Sequence, residues 1–366
     1  MLTQDMVLAA LASVPGPDGR TPLPRSGGLS AIVIQQGKVF FSIAVDPARA
    51  EQLEPMRKAA EEAVLRIPGA ESALVTLTGE RPASDGPQTA EPTPGRRGEK
   101  TAVPGVRHII AVASGKGGVG KSTTACNLAL ALSGLGLSVG LLDADIYGPS
   151  VPRLTGLQDA KPQVLENRIL QPLEAFGIKV MSIGFLVDQE AALIWRGPMV
   201  VSAIRQMLRE VAWGELDVLV IDMPPGTGDA QLTMAQTVPL AGAVIVSTPQ
   251  DLALIDARRG VAMFEQVHVP VIGIVENMSY FICPCCGTRS DIFGHGGARE
   301  EAARRGVPFL GEIALDMGIR SASDGGNPIV MSEPEGPHAR AYASVARHVI
   351  ERLEAPRRRT PRIVIE

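Results

Sequence analysis

The sequence predicts an α/β chain in which a small α/β domain precedes a larger one built on a mainly parallel, doubly wound sheet. Three observations carry this reading. Beyond residue 105, short and continuously apolar runs alternate with helical patterns, as expected of strands covered on both faces of a parallel sheet. A glycine-rich loop, Gly115 to Thr123, lies between the first of these runs and an apolar helical stretch. The segment RPASDGPQTAEPTPGRRGEKTAVPG, Arg81 to Gly105, is rich in proline, glycine and charge, a composition that makes a linker and not a core.

The elements follow in order. A polar helix opens the chain, and Ala31-Ile-Val-Ile and Val39-Phe-Phe-Ser-Ile-Ala-Val flank Gln35-Gln-Gly-Lys as the arms and turn of a hairpin. Leu53, Met56, Ala60, Val64 and Ile67 keep helical spacing across Ala48 to Arg66, and Ala73-Leu-Val-Thr-Leu reads as a strand. After the linker the expected strands are His108-Ile-Ile-Ala-Val, Val139-Gly-Leu-Leu, Val180-Met-Ser-Ile, Val218-Leu-Val-Ile, Ala243-Val-Ile-Val and Val271-Ile-Gly-Ile-Val. With 366 residues and 45% hydrophobic content the chain can fill one sizeable core and a smaller one. The expected boundaries are 1–80 for the first domain, 81–105 for the linker, 106–355 for the second domain and 356–366 for a tail.

Composition narrows the partners. Lys and Arg total 35 against 39 Asp and Glu, a formal net charge of -4, which supplies no global field for nucleic acid or an anionic membrane; neither is expected as a partner. Asp5 stands where a signal peptide would be basic, so a cytoplasmic location is expected. The apolar stretch Leu128 to Leu142 is interrupted by Ser133, Gly134, Gly136, Ser138 and Gly140, short of the roughly 18 to 20 residues that span a bilayer; it reads as helix, turn and buried strand. Of four cysteines, Cys283, Cys285 and Cys286 fall within four positions, which is metal or redox geometry in a reducing compartment.

The loop Gly115-Lys116-Gly117-Gly118-Val119-Gly120-Lys121-Ser122-Thr123 has the P-loop pattern in its required strand-to-helix setting. Glycines let successive N–H groups curl around phosphate oxygens, Lys121 sets a cation on the β and γ phosphates, and the Ser122 hydroxyl can ligate Mg²⁺. Asp143 and Asp145 end the next strand, where alternation points both to one side: Asp143 is placed with the Mg²⁺ shell and Asp145 with the attacking water. Asp222 ends the run from Val218 and precedes Met-Pro-Pro-Gly-Thr-Gly, a carboxylate for the metal's water shell beside a loop that can sense the γ phosphate. An isolated aspartate at a strand end is often only a turn residue; three beside a P-loop favour function.

Cys283 and Cys286 have the two-residue spacing that puts both sulfurs on one metal or cluster. That is half a site, since a tetrahedral Zn²⁺ or a four-iron cluster takes four protein ligands. Two copies of the pair around a two-fold axis supply four thiolates. Cys126, among Ala125, Leu128 and Ala129, reads as a small buried hydrophobe, and His295, between Gly294 and Gly296, as a loop residue.

KGGVGKST, with LLDADIYGPS and VIDMPPGTGD downstream, resembles the deviant P-loop ATPases of the MinD, ParA and nitrogenase iron protein class. The resemblance implies a face-to-face homodimer in which Lys116 crosses to the partner's nucleotide and neutralises transition-state charge, as an arginine finger does. It also implies that Asn277, at the end of the last expected strand, reads the adenine edge. ENMSYFICPCCG followed by DIFGHGG is similar to the Mrp/ApbC group of iron-sulfur cluster carriers over residues 105 to 350. VLAALASVPGPDG and RIPGAESALVTL resemble the iron-sulfur-assembly domain of bacterial members. The implied activity is ATP hydrolysis with Mg²⁺, coupled to carriage of a four-iron (4Fe-4S) cluster between subunits and its passage from scaffold proteins to apo-proteins.

Two departures stand out. Cys285 occupies the position between the paired cysteines, which leaves a Cys285–Cys286 ligation or a disulfide open, and the first domain holds no cysteine, so docking of partners is expected of it instead of thiolate ligation. Three other functions fit parts of the pattern. A MinD/ParA-like positioning ATPase would need an amphipathic basic C-terminal helix or a DNA-binding basic face, and Pro361 breaks any helix in the basic tail RRRTPRIVIE. An electron-transfer reductase like the nitrogenase iron protein carries two separated cysteines, not a tight pair. A dimer stapled by structural zinc would use the same thiols.

Overall fold

The computed structural model describes residues 2–30, 32–35, 37–46, 49, 52–70, 72–79, 103–165, 169–186 and 197–355, which fall into two compact units. Most of the expected linker and the expected tail lie outside the described residues.

In the first unit α1 (Gln4–Leu11) starts at Thr3, whose hydroxyl accepts from the Met6 N–H at 3.4 Å. β1 (Val33–Gln35) and β2 (Lys38–Val45) form the expected hairpin, antiparallel with Gln35 opposite Lys38. α2 (Glu54–Leu65) returns the chain so that β3 (Ser72–Gly79) runs parallel to β2. The helix was expected from Ala48; it starts at Glu54, with a proline in the first turn where a missing N–H breaks no helical bond. Met56, Ala60 and Val64 bury against Val39, Phe41, Ile43 and Val75, the period of a helix meeting the period of a sheet.

The second unit opens with β4 (Val106–Ala113), the glycine-rich loop, α3 (Lys121–Gly134) and β5 (Val139–Asp143). A short α4 (Val151–Leu154) precedes β6 (Leu173–Ala175) and β7 (Ile178–Ser182), and α5 (Gly197–Arg209) follows, grouping as far as Met207 with the first unit. Then β8 (Leu216–Asp222), α6 (Asp229–Thr237), β9 (Gly242–Ser247), α7 (Asp251–Gln266) and β10 (Val271–Glu276) alternate. A small hairpin of β11 (Phe281–Ile282) and β12 (Arg289–Ser290) comes next, then α8 (Gly297–Arg305), β13 (Phe309–Glu312), α9 (Met317–Asp324), α10 (Ile329–Ser332) and α11 (Pro337–Glu354).

Eight strands form one sheet in the order β13-β10-β9-β4-β8-β5-β7-β6. Every neighbouring pair is parallel except β6 with β7. From β4 the chain steps over β8 to β5 and later returns on the other side to β9, so strand order reverses at β4 and a crevice opens at its carboxyl end. All six strands expected from apolar runs are present. β6 and β13 were not expected: both are short edge strands whose residues are mostly half-exposed, so neither leaves a continuous apolar run.

α3 is buried on all sides from Thr124 to Leu132. It packs against the sheet and against α10 and α11, and Ala125, Ala129 and Ala131 are buried along it. The stretch Leu128 to Leu142 is helix, turn and buried strand as expected, and among the described residues no helix is long and apolar enough to cross a membrane.

Candidate functional site

The P-loop sits at the reversal point of the sheet. Ser114, just past β4, donates its hydroxyl to Lys116 O at 2.9 Å, closing the loop's first turn. Gly118 (φ 81°) and Gly120 (φ 78°) hold left-handed conformations that side chains rarely adopt. A Cβ on Gly120 would also collide with the Asn277 amide. No side chain caps the first turn of α3, so its N–H groups face the loop as donors for an anion. The resulting cavity of about 230 Å³ is lined by Ser114, Lys116, Gly117, Gly118, Gly120, Lys121, Ser122, Thr123, Asp145 and Pro225.

Lys121 is buried and its Nζ lies 2.6 Å from Asp222 Oδ1, 3.0 Å from Ser122 Oγ and 3.9 Å from Asp145 Oδ2. Asp222 Oδ2 is buried with no hydrogen-bond partner among the described residues, an orphaned acceptor of the kind that the water shell of a cation satisfies. Ser122, Asp145 and Asp222 therefore form an all-oxygen set that fits a hydrated Mg²⁺. Burial outweighs the nearby Lys121 and raises the Asp145 pKa.

Asp143 is placed differently from the sequence expectation. It is fully buried, Oδ1 accepts from the Asp145 N–H at 3.0 Å, and Oδ2 accepts from the Val151 N–H at 3.1 Å and the Ser182 hydroxyl at 3.0 Å. It lies outside the cavity lining and shapes the turn that presents Asp145. Burial, and then the charge of Asp222, push its pKa up to about 7. Between the ordinary carboxylate range and that value the folded chain holds a proton that the unfolded chain has released, so stability falls as pH rises through this window. With denaturation midpoints measured from about pH 4 to about pH 7, the stability of the wild type relative to Asp143→Asn should decline as pH rises. The same pH slope in wild type and variant would contradict this assignment.

Asn277 is buried at the end of β10 and donates its amide N–H to Val119 O at 2.8 Å, tying that strand to the P-loop from the side. It also lines a second hollow of about 300 Å³ that opens from Gly120 and Thr123 and is walled by Met278, Leu315 and Ile319. Leu315 and Ile319 come from the α9 region, which sequence reasoning passed over. The available signal was Asp316, whose carboxylate accepts from the Gly318 N–H at 2.6 Å as the helix cap.

The cysteines occupy the turn between β11 and β12. The Cys283 N–H donates to Thr288 O at 3.0 Å, the Gly287 N–H donates to Cys283 O at 2.8 Å, and Gly287 is left-handed at φ 71°. Cys283 is half-buried, whereas Cys285 and Cys286 are exposed. Cys286 Sγ is 3.3 Å from Thr288 Oγ1; the Thr288 hydroxyl first, and then its N–H, favour the thiolate and lower the Cys286 pKa. Cys126 is the expected buried hydrophobe, its thiol pushed up to about 12 by burial. Among the described residues no group of three or more His, Cys, Asp or Glu side chains could hold a metal ion.

Two family models divide the chain. Residues 105–350 match the NUBPL iron-transfer P-loop NTPase model. The chain belongs to this family. Residues 4–77 match the iron-sulfur cluster assembly protein model, so this family member carries both parts that the sequence suggested. Its relatives include the iron-sulfur cluster carrier protein of Synechocystis, 46% identical over 95% of this chain and 97% of that one. The iron-sulfur cluster transfer protein NUBPL of Mus musculus is 54% identical over 69% of this chain and 80% of its own length. Among solved structures, an Archaeoglobus fulgidus nucleotide-binding protein in complex with ADP aligns with a TM-score of 0.56 at 46% identity, covering 64% of this chain and 90% of that one. The cell-division ATPase MinD of Pyrococcus furiosus, at TM-score 0.50 and 23% identity over 67% of this chain and 98% of its own, shares the fold.

Proposed function

We propose that this NUBPL-family NTPase hydrolyses ATP and carries a 4Fe-4S cluster held between two copies of the chain, passing it to apo-proteins. The observation that carries the reading is the pairing, in one unit, of an intact phosphate cradle with a hairpin whose three free thiols include the Cys283 and Cys286 pair, two of the four ligands that a cluster takes. The two-fold axis of a homodimer completes the set.

At the nucleotide, the N–H groups of the loop and of the first turn of α3 cradle the phosphates, and Lys121 carries the cation to the β and γ oxygens. Mg²⁺, when bound, screens the phosphate charge, with Ser122 and the shell accepted by Asp222 as its holders. Asp145 lines the cavity and orients the attacking water. Lys116 lines the same cavity, half-buried, and acts across the dimer on the partner's nucleotide. The base occupies the hollow beside Asn277 and Met278. The same two-fold axis then organises both chemistries, phosphate through Lys116 and iron through Cys283 and Cys286.

The cluster is cargo, and the exposed, thiolate-favouring Cys286 suits a ligand that must let go. Anaerobic reconstitution with iron and sulfide, followed by visible absorbance, metal analysis and mass in solution, tests the reading. A brown dimer with about four iron atoms per two chains is expected. A colourless protein with stoichiometric Zn²⁺ would replace the carrier by a zinc-stapled dimer.

A further inference from the structure

The nucleotide cradle and the thiol hairpin are joined within one chain by a short strap. Asn277, which holds Val119 O, follows Glu276, the fully buried last residue of β10. Met278 comes next at φ 55°, a left-handed conformation that a non-glycine residue keeps only where its surroundings impose it. The Ser279 N–H donates to Ile313 O at 2.9 Å and the Leu315 N–H donates to Tyr280 O at 2.7 Å. These bonds lace the strap to the segment that walls the base-sized hollow. Phe281 then begins β11, and Cys283 follows that strand directly.

A row of polar contacts braces this strap against the hairpin. Glu276 Oε1 accepts from the Ser279 hydroxyl at 2.6 Å and the Gly296 N–H at 3.0 Å, while Oε2 accepts from the Ala298 N–H at 2.7 Å. Ser279 Oγ lies 3.3 Å from His295 Nδ1, and Arg289 Nη2 on β12 lies 3.0 Å from the same Nδ1 and 3.3 Å from Nε2. The His295 ring therefore stands between Ser279 of the strap and Arg289 of the hairpin. The Arg289 guanidinium also covers the Tyr280 ring at 4.1 Å, so the second strand of the hairpin grips the strap at two points.

We propose that His295 is a positioning residue that locks the cysteine hairpin to the Glu276–Ser279 strap, so that filling the nucleotide site changes access to Cys283 and Cys286 within a single chain. The inference rests on the reading that the P-loop takes nucleotide and that these thiols hold the cargo. It adds a path in cis to the coupling across the dimer axis. The differential contact is local: a base in the hollow presses on Met278 and Leu315, which belong to the strap and its laced partner.

The test uses the full chain without cluster in a Cys285→Ser background. Alkylation of Cys283 and Cys286 by iodoacetamide is followed by mass spectrometry, with and without Mg-ADP, at a dilution where light scattering gives the monomer. ADP should shift the alkylation rate by at least about 5-fold, and His295→Ala should shrink the shift below about 2-fold with ADP affinity by calorimetry unchanged. His295→Gln, which carries a donor and an acceptor in one side chain, should restore it; a role in stability alone would not produce that pattern. A full ADP response in His295→Ala, no response in the background protein with ADP bound, or a response confined to the dimer each overturns the inference. Failure of ADP to bind at all sinks the nucleotide reading, and the inference with it.

Discussion

Lys121→Met should abolish measurable nucleotide binding and also lower the stability of the fold by about 3–5 kcal/mol, the usual effect of stripping one partner from a buried ion pair. The magnitude follows from the site: Lys121 and Asp222 are both buried and their charged atoms are 2.6 Å apart. Methionine keeps the length of the side chain, so little of the loss can be ascribed to a cavity. It leaves the Asp222 carboxylate in the interior with no cation beside it. The double variant Lys121→Met with Asp222→Asn should recover most of the stability and none of the binding. Calorimetry with ADP and urea denaturation separate the two effects. A single variant as stable as the wild type would mean that the pair contributes to chemistry alone.

Cys283→Ala should reduce reconstituted iron to background while ADP affinity stays within about 2-fold of wild type, because removal of one ligand from each chain leaves two thiolates where a cluster takes four. The thiols lie in the turn of the β11–β12 hairpin and the phosphates in the crevice beyond β4, with different residues lining each. Cys285→Ser is the control. If Cys285→Ser lost the cluster and Cys283→Ala kept it, the ligand pair would be Cys285 and Cys286. Iron and sulfide analysis after anaerobic reconstitution reads the outcome directly.

The parts of the site legible in the sequence are those whose chemistry demands one residue type at one place. A loop that wraps phosphate needs Gly118 and Gly120 in left-handed conformations, a lysine after them and a hydroxyl next, so the P-loop reads from its letters. Cys283 and Cys286 stand out in the sequence by their spacing, and the structure places both in the turn of one hairpin. The role of Asp143 was not legible. Its side chain and that of Asp145 look alike along the strand, and the difference lies in partners distant in the chain, notably Ser182. Glu276 was passed over because a carboxylate at a strand end names no partner; its three donors come from Ser279, Gly296 and Ala298. The fold divides along the same line. Strands buried on both faces announce themselves as apolar runs, whereas β6 and β13, at the two edges, are held by register with a neighbour and carry little signal of their own.

The burial of α3 on all sides has a consequence for reading natural variation. Ala125, Ala129 and Ala131 lie outside the cavity lining, yet they are buried in the helix whose first turn forms the cradle, which packs against both the sheet and α11. A larger residue at any of them would push that helix off its axis and carry the loop with it. Such a substitution would read in an ADP-binding assay as a nucleotide-site lesion, with every residue that lines the cavity intact.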